Sequence, residues 1–311
     1  MPISHQVRFN KELSQLAKKQ ETDLRGFLLT ARCSEPTPSQ LTLLPKDHKT
    51  PMTGRPLVGA TDTPGTKLSK MLANVLNPLL DQIPTHLKDT PAFVERITSF
   101  KLCTSSPIYF GSFDVSNLYG SIPLTGEHNV YDVAADFFGA HKNSTCLREL
   151  QRDDFIKLLR LAIQSDVVFI SGVPHKQVTG LPMGNNLSPI LAIIFMFRLE
   201  ENVTADEKIL LWCRYIDDIF VIASVPLGEI LVNINKLCKE IIFTVELPSQ
   251  HGTIPFLDTL VEYHASVRGP KVLHEFTTSF YVKALHSGHV LPWQSFVPRT
   301  RKITLVKIGK A

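Results

Sequence analysis

This chain lacks long apolar runs and any patterned cysteine. Its longest largely apolar stretch, residues 187–197, falls short of the roughly 20 residues that cross a bilayer. The N-terminal MPISHQVRFNKELSQ has no apolar core of the kind found in a secretory leader. Cys33, Cys103, Cys146, Cys213 and Cys238 are scattered with no CxxC spacing, which argues against both a zinc module and a disulfide scaffold. The expectation is a protein with no membrane span, kept in a reducing intracellular compartment. No internal repeat and no low-complexity linker divides the chain. What is present is 43% hydrophobic residues in a length of 311, enough for one large domain or two modest ones.

Charge is unevenly distributed along the chain. Residues 1–101 hold 14 Lys+Arg against 9 Asp+Glu, residues 102–264 hold 11 against 19, and residues 265–311 hold 8 against 1. An acidic middle between basic ends suits phosphate contacts at the flanks and cations at the centre. Chance segregation would give the same pattern, so charge alone does not decide.

Apolar periodicity predicts helices over 8–32, 64–82, 150–164, 189–200 and 228–240. Strands are predicted over 41–44, 108–115 and 242–247, with two more around Asp217 and Asp218. The turn-rich, basic PKDHKTPMTGRP reads as an exposed loop. Helices and strands mix without βαβ alternation, so the class is α+β.

Three segments carry chemistry. In YFGSFDVSNLYGSIP (109–123) an apolar strand delivers Asp114, and Tyr119 follows; alone, such an Asp is most often a turn former. In TGLPMGNNLSPILAIIFMFRLEE (179–201), Gly180, Pro182 and Gly184 form a loop whose backbone can approach a ligand closely. Ser188 reads there as an N-cap, with Pro189 at the first helical position. In ILLWCRYIDDIFVIAS (209–224), two β-prone runs surround Asp217 and Asp218, a hairpin with an acidic pair at its turn. Adjacent aspartates repel at the tip of an apolar hairpin, and such turns prefer Asn-Gly or Asp-Gly, so a neutralising cation is the better reading. Asp114, Asp217 and Asp218 are the candidate metal ligands, and Mg²⁺ takes such oxygen donors together with phosphates and water.

In order and spacing the three segments resemble motifs A, B and C of reverse transcriptases, and more closely those of Penelope-like retroelements, a lineage related to telomerase. The matching residues are LPKDHK (44–49), RPLV (55–58), DVSNLYGSIP (114–123) and GLPMGNNLSP (180–189), followed by RYIDD (214–218), PFLD (255–258) and FYVKALHSGHVL (280–291). The resemblance implies a right-hand polymerase fold with an antiparallel palm sheet backed by helices, its three aspartates on an open face. It implies a fingers region over 1–104, a palm over 105–292 and, over 293–311, a basic tail that is at most a thumb stub. The residues after Pro292 are expected to leave room for neither a full thumb nor the GIY-YIG endonuclease that many members carry.

The implied activity is RNA-directed DNA polymerisation with two Mg²⁺ ions, Mn²⁺ being an alternative, on an RNA template with a DNA primer and dNTPs. It implies no membrane partner, cytoplasmic synthesis and action in the nucleus. Asp114, Asp217 and Asp218 match the metal-binding carboxylates, with Asp218 on the less engaged side. Tyr119 matches the steric gate against a ribose 2′-hydroxyl. Lys49 and Arg55, with Lys46 a weaker candidate, match fingers residues on the incoming triphosphate. Gly184 and Ser188 match the nucleotide and template contact, and Lys283 the primer grip. Departures from the family pattern are Gly120 for Thr, expected only to loosen a turn, Asn185-Asn186 for Ser-Pro, and Ala284-Leu285 for Pro-Thr. The other expectations are a truncated, catalytically impaired remnant that only binds RNA or RNA–DNA hybrid, and a different palm polymerase such as an RNA-dependent RNA polymerase. Tyr119 speaks for a deoxynucleotide user.

Overall fold

A computed structural model describes residues 2–35, 37–46, 53–59, 61–165 and 167–282. The elements in chain order are α1 (Pro2–Lys18), α2 (Thr22–Leu29), β1 (Gln40–Lys46), β2 (Thr53–Gly59), α3 (Thr66–Leu76), α4 (Thr90–Ser99), β3 (Lys101–Thr104) and β4 (Tyr109–Val115). Next come α5 (Leu118–Ser121), α6 (Val130–His141), α7 (Arg152–Gln164), β5 (Val168–Ile170), β6 (Val173–His175) and α8 (Ser188–Thr204). The last are β7 (Ile209–Tyr215), β8 (Asp218–Ala223), α9 (Leu227–Ile234), β9 (Phe243–Glu246), β10 (Thr253–Phe256), β11 (Thr259–Arg268) and β12 (Lys271–Phe280). Mixed helices and antiparallel strands make this the α+β class expected.

The central sheet has the order β7–β8–β4–β9, every neighbouring pair antiparallel. Strand alternation assigns its two faces. Phe113, Val115, Trp212, Ile219 and Val221 join a core shared with Phe137 of α6, Ile193 of α8 and Ile230 of α9. Phe110, Cys213, Phe220 and Ile222 join a second core with Phe93 and Ile97 of α4 and with Ile254, Phe256, Val261 and Phe276. Those last four belong to the antiparallel sheet β10–β11–β12–β3. Ring centroids of Phe93 lie 5.3 Å from Phe220 and 4.5 Å from Phe256, fastening α4 between the two sheets. The expectation of one open face is therefore corrected. Strands apolar on both parities must be covered on both sides, so the acidic residues lie at strand ends, where the covering layers stop.

Several boundaries differ from those predicted, each for a local reason. The segment 8–32 is two helices that pack against each other, α1 burying Phe9, Leu13 and Leu16 and α2 burying Leu24 and Leu28. Helix α3 stops at Leu76 and the chain continues as a 3₁₀ turn, Asn77–Gln82, with Pro78 at its start, where no N–H is required. Helix α9 stops at Ile234 because the Asn235 amide bonds both polar groups of Phe243, donating at 3.2 Å and accepting at 2.8 Å, which turns the chain into β9. Part of the predicted loop 45–56 is strand. β1 and β2 pair from Gln40↔Gly59 to Lys46↔Thr53, and a two-stranded sheet has only edges, where Pro45 and Pro56 are tolerated. Among the described residues no helix is long and apolar enough to cross a membrane.

Candidate active site

Asp114 is the one exposed residue near the end of β4, set between buried Phe113 and Val115. One step past the last β4–β8 pair, Phe113↔Ile219, the neighbouring strands reach Asp114 and Asp218. Asp218 pairs with Tyr215 and closes the β7–β8 hairpin, so the turn itself is Ile216–Asp217. The acidic pair expected within the turn is thus divided, Asp217 at the tip and Asp218 opening β8. Ile216 holds φ at 56°. Left-handed backbone at a β-branched residue costs about 1–3 kcal/mol and persists where the surroundings over-determine it.

Past β4, Asn117 also takes a left-handed φ of 51°, a conformation its short polar side chain tolerates, and starts the single turn α5. That turn carries Tyr119, which is half-buried. The Tyr119 hydroxyl is pushed up to about 12, first by burial and then by the negative charge of Asp217 and by Tyr215. It stays protonated at working pH, within electrostatic reach of the acidic turn.

The glycine loop does approach backbone closely, but the backbone is the chain's own. At Gly180 (φ 70°) an added Cβ would lie 2.5 Å from the Tyr119 carbonyl oxygen and 2.7 Å from the Gly120 Cα. The Leu181 N–H donates to that same carbonyl at 2.7 Å. At Gly184 (φ 109°) an added Cβ would lie 2.4 Å from the Val58 carbonyl oxygen, while the Val58 N–H donates to the Met183 carbonyl at 2.7 Å. The loop thus joins the Tyr119 turn to β2, and β2 carries exposed Arg55. A Cβ added at Gly120 would meet the Asn117 side-chain amide, so glycine there also leaves room for that side chain beneath the turn. Gly184→Ala is expected to lower stability by about 1–3 kcal/mol, whereas Gly228→Ala in α9 should be neutral or stabilising. Nothing lies within 4 Å of a Cβ added at Gly228. Thermal midpoints of the two variants measure the contrast, and equal midpoints would remove the close-approach argument.

Ser188 corrects its sequence reading. It is fully buried, its hydroxyl donates to the Pro182 carbonyl at 2.8 Å, and α8 has no side-chain cap bond. It shapes the loop from beneath instead of facing a ligand. Asn185, also buried, donates to the Ala162 carbonyl at 3.2 Å and accepts from the Leu187 N–H at 3.0 Å. Lys49 and Lys283 lie outside the described residues, as does the side chain of Lys46, whose backbone ends β1 opposite Thr53.

Sequence reasoning missed a buried ion pair directly behind the turn. Arg214 Nε lies 2.6 Å from Glu200 Oε1, both side chains wholly buried. The signals were present: the first of two adjacent acids, Glu200, falls four residues after Met196 on the apolar stripe of α8, and Arg214 shares strand parity with inward-facing Trp212.

Among the described residues no group of three or more His, Cys, Asp or Glu forms a ready metal cage. Mg²⁺ does not require one, since it is usually held by one or two carboxylates with phosphates and water. Hard oxygen donors at adjacent strand ends fit that ion in donor type.

No curated protein matches the chain. Its fold is similar to that of Candida albicans telomerase in complex with a fragment of telomeric RNA, with a TM-score of 0.52 and 14% identity over 75% of this chain and 46% of that one. It is likewise similar to apo telomerase of Candida tropicalis truncated from the C-terminal domain, with a TM-score of 0.50 and 14% identity over 73% and 54% of the two chains. A structure of an RNA-dependent RNA polymerase with vp4 and dsRNA gives a TM-score of 0.50 and 13% identity over 84% and 26%. At these identities the likeness speaks for the fold alone, and the chain spans about half the length of the telomerases. The strand-end carboxylates, the Tyr119 turn, the glycine loop and β2 all fall within residues 44–247, which match the family model described as reverse transcriptase (RNA-dependent DNA polymerase), and the chain belongs to that family.

Proposed function

We propose that this chain is the template-copying core of a retroelement reverse transcriptase of the Penelope-like kind, adding dNTPs to a primer 3′-hydroxyl on an RNA template. The observation that carries the reading is the strained Ile216–Asp217 turn, held on a hairpin next to the strand that carries Asp114 near its end. Asp114, Asp217 and Asp218 would hold Mg²⁺, or Mn²⁺. Bound there, two such ions would stabilise the attacking and leaving oxygens of an in-line phosphoryl displacement.

The other residues do the positioning. Tyr119, beside the acidic turn, presents a neutral ring that excludes a 2′-hydroxyl from the sugar site. Arg55 offers a planar fork, and Lys49 a point charge, to the incoming triphosphate. Gly184 and Ser188 set the loop on which the nucleotide and template rest, and Lys283 meets the primer backbone. A groove of about 710 Å³ between α1 and α7, lined by Lys18, Lys19, Lys157, Arg160 and Lys176, adds a basic surface suited to template phosphates. We assign fingers to 1–104, palm to 105–292 and a basic tail to 293–311, with action in the nucleus.

The test is primer extension on poly(rA)/oligo(dT) with Mg²⁺ or Mn²⁺. Extension with dTTP is expected, and Tyr119→Ala should raise UTP use relative to dTTP by about tenfold or more. Unchanged sugar preference would remove the gate. Equal use of UTP by the unaltered chain would favour an RNA polymerase, and hybrid binding without extension a binding remnant.

A further inference from the structure

Arg214 is the largest fully buried side chain in the described structure, and its surroundings use it as a fork. Its Nε donates to Glu200 Oε1 at 2.6 Å, its Nη2 to the Ile193 carbonyl at 3.0 Å and its Nη1 to the Ile216 carbonyl at 3.3 Å. Glu200 is equally committed, Oε1 accepting from Trp212 Nε1 at 2.8 Å and Oε2 from Thr85 Oγ1 at 2.7 Å. The Arg214 backbone is clamped as well, its N–H donating to the Thr85 carbonyl at 2.8 Å and its carbonyl accepting from the Leu87 N–H at 2.7 Å. Helix α8, strand β7 and the segment before α4 therefore meet at one ion pair.

A buried ion pair is weak evidence for stability, because an apolar replacement of similar volume often does as well. The arm that reaches Ile216 suggests what else the pair does. The Ile216 carbonyl and the Asp217 N–H belong to one planar peptide unit, so holding that oxygen fixes the plane from which Asp217 departs. Ile216 itself is held at a φ of 56°, which a β-branched residue does not adopt without outside support.

We infer that the buried Glu200–Arg214 pair is a positioning device, which holds the Ile216–Asp217 turn in its strained form and so aims the Asp217 carboxylate. The inference rests on Asp217 acting as proposed above only for its catalytic consequence. The mechanical part, that the pair holds the turn, stands separately. Outer partners of metal-binding groups, when removed, typically cost about 10–100-fold in metal affinity or activity.

The variant that separates aiming from mere stability is the double change Glu200→Leu with Arg214→Met. It leaves no unpaired buried charge, so the chain should fold cooperatively, yet it removes the donor to Ile216. Amide hydrogen exchange is expected to rise by about tenfold across 215–219 and to stay unchanged in β4 and α6. In primer extension, the rate at saturating dTTP should fall about 10–100-fold, the half-saturating Mg²⁺ concentration should rise and the KM for dTTP should hold.

A folded double variant with unaltered turn exchange would overturn the inference. Faster turn exchange with an unaltered Mg²⁺ requirement and rate would overturn its catalytic half. If the unaltered chain extends no primer, the proposed function fails while the exchange measurement still decides the turn. Should the double variant not fold, Arg214→Lys keeps the charge beside Glu200 but loses the fork, and unaltered turn exchange there would equally sink the idea.

Discussion

An Asp217→Asn chain is expected to bind an RNA–DNA hybrid as the unaltered chain does, and to extend its primer about 10²–10³-fold more slowly. Asn keeps the volume of Asp and is equally at home in a turn, so the substituted turn should close the β7–β8 hairpin in the same register. What the change removes is one negative charge next to Asp218. Without divalent ions that removal relieves repulsion between adjacent carboxylates, so the variant should melt no lower than the unaltered chain, and higher in EDTA. Loss of activity with stability retained or raised is the signature of a charge held at a cost for catalysis. Extension rates and thermal midpoints, each with and without Mg²⁺, measure both halves. Extension that survives the change would end the assignment of Asp217, and a midpoint lowered in EDTA would recast the residue as a structural turn former.

The elements that carry the candidate site were legible in the sequence where a short apolar run ends abruptly in polar residues. Strand β4, the β7–β8 hairpin and α8 are such runs, and each brings its candidate residue or loop to the same region. The exact turn was not legible, because Tyr215↔Asp218 pairing depends on Ile216 taking a left-handed φ that no propensity favours. Nor was the second sheet. β11 and β12 alternate only partly, with buried Val261 and Phe276 among exposed residues, and their cover is the far face of β4 and β8, distant in sequence. PFLD illustrates the difference. Phe256↔Thr259 closes a hairpin whose turn residue Leu257 sits at φ 52°, the geometry of the β7–β8 hairpin repeated at a turn with no second acid. Ser188 misled for a related reason. A serine before Pro at a helix start reads as a cap, yet the loop folds back so that its hydroxyl donates to the carbonyl of Pro182, six residues earlier. Only the second sheet's cover was a pairing between segments far apart in the chain; the turn and Ser188 were set by local backbone geometry that residue preference does not reveal.

The largest stability effect is expected at Glu200→Ala. The substitution strands the Arg214 guanidinium, wholly buried, with no counter-charge. Breaking a buried pair from one side costs about 3–5 kcal/mol, against a total stability of about 5–15 kcal/mol. Trp212 Nε1 and Thr85 Oγ1 lose their acceptor at the same time, and unmet buried donors add to the loss. Glu201→Ala, one position along, is the contrast. Its partner Arg198 lies at 3.0 Å, but the side chains are 68% and 42% exposed, and a pair so placed is worth about 0.2–1 kcal/mol. Urea midpoints of the two variants should therefore differ widely, and similar midpoints would mean that water reaches Arg214. Glu200→Gln then separates the two causes. It keeps one acceptor oxygen, for Trp212, and its amide N–H can donate to the Thr85 hydroxyl instead, but it leaves the guanidinium charge unbalanced. If the desolvated charge dominates, Gln should be nearly as damaging as Ala; if the orphaned donors dominate, Gln should recover most of the loss. The first outcome is expected, because a buried uncompensated charge costs more than a pair of unmet neutral donors.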